Sequence, residues 1–116
     1  MRLNQLIDRL SKCKQDVPVC WDFGSLRITE PLSWRGVYAE LALGWIADGG
    51  FKTVGELVTS LRRCVGQTFD GYKGGEYVMN ERTLVHCDNY GDCSNTAIVG
   101  VIDEDYRVVL ETRYMP

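Results

Sequence analysis

The chain has 116 residues, 45% of them hydrophobic and 25% charged, which is the balance of a globular protein and not of a disordered one. Thirteen basic against sixteen acidic residues leave a net charge of -3. That excludes a broadly basic nucleic-acid binder and is too mild for an acidic mimic of DNA.

The length fits one domain over 1–116, large enough for one hydrophobic core. No apolar run reaches membrane-spanning length, so no membrane partner is expected. The start, Met1-Arg2-Leu3-Asn4-Gln5, leads into charged residues and not an apolar signal block, which reads as cytoplasmic. Leu3, Leu6, Ile7 and Leu10 recur at helical spacing and predict an amphipathic helix that ends by Gln15. Val17-Pro18-Val19-Cys20-Trp21 then reads as a strand. Pro18 donates no hydrogen bond, so the strand is expected at a sheet edge or a bulge. Leu26-Arg27-Ile28 resumes a short strand before Glu30-Pro31. In the segment from Ser33 to Trp45, alternation puts Val37, Ala39, Leu41, Leu43 and Trp45 inside and Tyr38 and Glu40 outside, so it is read as a strand, although its Ala, Glu and Leu also favour helix. Asp48-Gly49-Gly50 breaks it.

Thr53 and Glu56 stand at capping-box spacing, and Val54, Leu57, Val58, Leu61 and Val65 form one apolar stripe. Arg62 and Arg63 suit a helix C-terminus, and Gly66 suits a left-handed cap, so a helix is predicted over Val54–Val65. A glycine-rich connection follows over Phe69–Tyr77. Three strand-like runs remain: Thr83 to Asp88, Thr96 to Ile102 and Tyr106 to Arg113. The last two should pair as an antiparallel hairpin across Asp103-Glu104-Asp105. Ile98, Val99, Val101 and Ile102 are apolar on both faces, which predicts a central strand. The expected fold is α+β, a mainly antiparallel sheet of about five strands with two packed helices.

The chemistry is sparse. Cys13, Cys20, Cys64, Cys87 and Cys93 are odd in number and follow no disulfide framework, so reduced thiols are expected. Cys87, Cys93 and His86 lack a fourth ligand for a structural zinc, and no metal or cofactor is expected. His86 and Cys87 cannot act as a dyad, because adjacent strand residues point to opposite faces. Asp88-Asn89-Tyr90-Gly91-Asp92 reads as turn chemistry, without the ligand alternation of a calcium loop. Two clusters suit an anion. In Tyr72-Lys73-Gly74-Gly75, consecutive glycines can turn backbone amides toward a phosphate, and Lys73 adds charge. Tight turns use the same residues. In Ser33-Trp34-Arg35-Gly36-Val37-Tyr38-Ala39-Glu40, Arg35 offers a forked donor, Tyr38 a stacking face and Glu40 an acceptor for a sugar or base. A core Trp34 beside a solvated Arg35–Glu40 pair explains the same residues. The candidate ligand residues are therefore Arg35, Tyr38, Glu40, Tyr72, Lys73, Gly74 and Gly75, and no catalytic residue is assigned.

The motifs Ser33-Trp34-Arg35-Gly36-Val37-Tyr38, Leu41-Ala42-Leu43-Gly44, Gly71-Tyr72-Lys73-Gly74-Gly75-Glu76-Tyr77 and Asn89-Tyr90-Gly91, with Asp22-Phe23-Gly24, resemble a group of small uncharacterised bacteriophage and prophage proteins. The resemblance implies a phage setting in the host cytoplasm, where small accessory proteins disable host defences. It carries no catalytic residue over. The expected function is sequestration of a small anionic, nucleotide-type signal, with a homo-oligomer supplying the concave surface a small domain lacks. The alternatives are a protein-binding inhibitor of a host defence enzyme and, third, a small nucleotide-processing enzyme with Glu40 or Glu76 as base.

Overall fold

Residues 1–24, 26–33, 41–70, 76–87 and 96–114 are described by the computed structural model of the chain. Helix α1 spans Leu3–Ser11 and buries Leu3, Leu6 and Leu10, the stripe its spacing predicts. Its first amides are capped by distant backbone: Leu3 N–H donates to the Thr83 carbonyl and Asn4 N–H to that of Glu81, both at 2.8 Å. Helix α2 spans Val54–Cys64. Thr53 Oγ1 accepts from the Glu56 amide at 3.2 Å, and the Glu56 carboxylate reaches back to the Lys52 amide at 3.0 Å. The box is thus closed one residue further out than the usual reciprocal pair. Val54 and Gly55 donate their amides to the carbonyls of Val17 and Gln15 at 3.0 and 2.9 Å.

The α2 stripe differs from its prediction at one end. The helix stops at Cys64, Val65 turns to extended backbone (φ -65°, ψ 121°), and Gly66 takes the left-handed conformation at φ 84°. Cys64 therefore fills the last buried place, while Val65 leaves the face and is 40% exposed.

Among the described residues, eight strands follow the chain as β1 (Val19–Trp21), β2 (Arg27–Ser33), β3 (Leu41–Ile46), β4 (Thr68–Asp70), β5 (Glu76–Val78), β6 (Val85–Cys87), β7 (Thr96–Asp103) and β8 (Val108–Tyr114). Six form one sheet in the order β1-β8-β7-β6-β3-β2, and β4 pairs with β5 alone. The turn after Trp21 brings the two ends of that order together, with Trp21 N–H donating to the Leu26 carbonyl at 2.9 Å, so the sheet is nearly a barrel. Asp22 fastens the same corner, accepting from the Thr112 amide and hydroxyl, each at 2.7 Å.

The α+β class holds, and the sheet is corrected in two respects. It has six strands, and it is mixed. β1 runs parallel to β8 and β3 parallel to β6, while the other neighbours are antiparallel. Parallel partners lie far apart in sequence and share no turn, so no local signal announces them. The β7–β8 hairpin and the interior place of β7 agree with expectation, although Ile102 at its outer end is 41% exposed. β1 is a terminal strand, as Pro18 implied. β2 runs on through Pro31, which the other terminal strand tolerates because the register shifts between Ile28 and Pro31. The connection read over 69–77 overlaps β4 and β5, which lie on either side of 71–75.

Leu41, Ala42 and Leu43 are all buried, so β3 shows no alternation: both its faces are covered. One apolar cluster joins α1, α2 and the main sheet. Leu61 is fully buried in it. Leu61→Ala is expected to cost about 2–5 kcal/mol in urea unfolding. A loss below about half a kcal/mol would show that the α2 face can collapse without penalty.

Candidate functional site

The seven candidate ligand residues fall in two segments, Arg35, Tyr38 and Glu40 in 34–40 and Tyr72, Lys73, Gly74 and Gly75 in 71–75, and all lie outside the described residues. So do Trp34, Cys93 and the 88–92 cluster. The frame that carries the two segments is described. Ser33 pairs with Leu41, so 34–40 joins the arms of the β2–β3 hairpin. Asp70 pairs with Glu76, so 71–75 joins β4 to β5. β4 lies against β2, which makes the two hairpins neighbours.

Beside β2 runs a groove that sequence reasoning missed. On α2, Glu56, Thr59, Ser60 and Arg63 follow the spacing i, i+3, i+4, i+7 and form a polar stripe away from the buried one. This stripe, with Thr53 and Gly55, faces Glu30 of β2 and Phe51 across a cleft of about 580 Å³. A second cleft of about 320 Å³, lined by Thr29, Glu30, Gly50 and Phe51, shares two of those residues and continues the groove along β2. Gly50 allows this. Its φ is 70°, and a Cβ there would stand 2.5 Å from the Ile28 carbonyl oxygen, so only glycine lets the segment tuck against the strand. The next amide, Phe51 N–H, then donates to that same carbonyl at 2.9 Å. Phe51 is half-buried and packs on the core cluster.

The groove's electrostatics are set by side chains. The amides of Val54, Gly55 and Glu56 are already bonded to Val17, Gln15 and Thr53, so the α2 N-terminus has no amide to spare there for an anion. Glu30 and Glu56 supply acceptors, and Arg63 supplies a cation two helical turns from Glu56, roughly 10 Å along the axis.

The residues weighed for nucleophilic chemistry sit elsewhere. His86 is 8% exposed on β6, in register with Ala42 on one side and Ala97 on the other, small neighbours that leave room for its ring. It is a core histidine. Burial raises the thiol pKa of Cys13, Cys20 and Cys64; Asp103 adds to the rise at Cys13, and Arg107 opposes it at Cys20. These thiols stay protonated near neutrality and are poor nucleophiles. Among the described residues, no three His, Cys, Asp or Glu side chains gather as metal ligands.

Cys64 gives a pH prediction. Burial pushes its thiol from 9.0 up to about 11, so the folded chain holds the proton that the unfolded chain releases. Its contribution to stability is complete below about pH 9 and is lost as pH rises toward about 11. The stability gap between the native chain and Cys64→Ala should narrow across that window. A gap independent of pH would refute the shift.

The comparisons add no further constraint. The chain matches no family model, no curated protein and no solved structure. The described residues include no helix long and apolar enough to cross a membrane.

Proposed function

We propose that the protein captures a small anionic, nucleotide-type molecule without altering it, as an accessory protein of a phage that counters host defence. The observation that carries this reading is the adjacency of β2 and β4. In chain order, Arg35 and Tyr38 come just after β2, and Tyr72, Lys73, Gly74 and Gly75 just after β4. A phosphate calls for a forked donor and a point cation, which Arg35 and Lys73 are by residue type, and for a turn of backbone amides, which the Gly74-Gly75 pair suits. The groove along β2 adds acceptors and a further arginine. The phage setting rests on the sequence resemblance alone. A homo-oligomer fits the reading, since two copies can enclose a ligand that one small domain leaves half open.

The test is direct. The purified chain is incubated with 3′,5′-cyclic AMP, 3′,5′-cyclic GMP and ADP-ribose, washed, denatured, and the released material chromatographed. Intact nucleotide means capture. A modified nucleotide means an enzyme, and no retained nucleotide turns the search to a host protein as target.

A further inference from the structure

We propose that the groove between β2 and α2 seats the sugar and base of the captured nucleotide, with Glu30 and Glu56 accepting from its sugar hydroxyls and Arg63 meeting an anionic group. The inference rests on the capture reading and adds the ligand's class, a ribonucleotide with free hydroxyls. Three features lead there. The α2 amides nearest the groove are spent on Gln15, Val17 and Thr53, so that end of the groove is an acceptor surface made by carboxylates and hydroxyls. An acceptor surface selects a donor-rich ligand face, which a sugar diol or an exocyclic amine provides. One oxygen of Glu56 is held by the Lys52 amide at 3.0 Å, which orients a carboxylate that still has acceptor capacity.

Arg63 lies at the other end, roughly 10 Å along the helix from Glu56. That separates an acceptor end from a cationic end on the scale of a nucleoside phosphate. Phe51 lines the groove between strand and helix while its ring packs on the core, which gives a flat apolar surface for a base.

The experiment measures equilibrium dissociation constants of the full chain for ADP-ribose, 3′,5′-cyclic AMP and 3′,5′-cyclic GMP, each beside its 2′-deoxy form. Glu30→Gln and Arg63→Ala are compared with the native chain. Both residues are exposed, so both variants should melt as the native chain does. The expected result is a loss of about tenfold or more in affinity for each variant, and a similar loss for the 2′-deoxy probe on the native chain. If the native chain retains none of the probes, the capture reading and this inference fall together. If it retains one, and both variants and the 2′-deoxy form bind equally well, the groove assignment alone is overturned. A loss confined to Arg63→Ala overturns the sugar assignment.

Discussion

Trp21→Ala is expected to cost about 3–5 kcal/mol, the largest stability loss of any single truncation described here. Trp21 is 1% exposed and reaches from β1 across the interior, where its Nε1–H donates to the Gly44 carbonyl of β3 at 2.9 Å. Its ring stacks on Phe23 with centroids 5.6 Å apart, and Phe23 meets Trp45 edge-on at 6.4 Å. Truncation would leave a cavity and strip the buried Gly44 carbonyl of its donor. Trp21→Phe shifts the balance between these effects, because it removes the donor and keeps a six-membered ring that fills much of the cavity, for a cost of about 1–3 kcal/mol. Urea denaturation of both variants measures the two. Equal losses would mean that the hydrogen bond carries the whole effect, and a loss under about 1 kcal/mol for Trp21→Ala would mean that β1 contributes little to closing the sheet.

Arg35→Ala is expected to abolish nucleotide capture and leave the melting temperature within a degree or two of the native value. Lys73→Ala should weaken capture less, since a point charge is more easily replaced than a bidentate fork. Tyr38 and Tyr72 would stack on a base at about 1–3 kcal/mol each, so truncating either should give an intermediate loss. An Arg35→Ala chain that fails to fold would make Arg35 a structural partner. Two folded variants with native capture would remove the loops from the site and favour a protein target.

What was legible in the sequence is what local chemistry decides. The α2 boundaries follow from Thr53, Glu56 and Gly66 within a turn or two of where each acts, and the α1 stripe needs only its own spacing. The β7–β8 hairpin is announced by its polar turn. The misses lie in strand pairing, at the last residue of the α2 stripe and at the groove. Nothing in Leu41-Ala42-Leu43 names Val85-His86-Cys87 as a parallel neighbour. Val65 reads as the next apolar residue of a stripe until the helix stops one residue short of it. The groove illustrates the same limit at the candidate site. Glu56, Thr59, Ser60 and Arg63 were visible as the outer face of a helix, a pattern that any solvated helix shows. Only the placement of Glu30 and Phe51 opposite turns that face into one wall of a cleft.

The capping of α1 has a consequence for synthesis on the ribosome. The carbonyls that satisfy Leu3 and Asn4 belong to Thr83 and Glu81, and the partner of β1 is β8, with Val19 beside Val108 and Trp21 beside Leu110. Helix α1 and strand β1 therefore both wait for residues made well after them. A nascent polypeptide ending near Val78 would hold an uncapped α1 and a β1 without its ladder, with the side of α1 that packs against β7 not yet covered. Folding should thus come late and in one step, at the slow pace that contacts between distant residues impose. Until β8 emerges, the exposed apolar face is a natural substrate for chaperones.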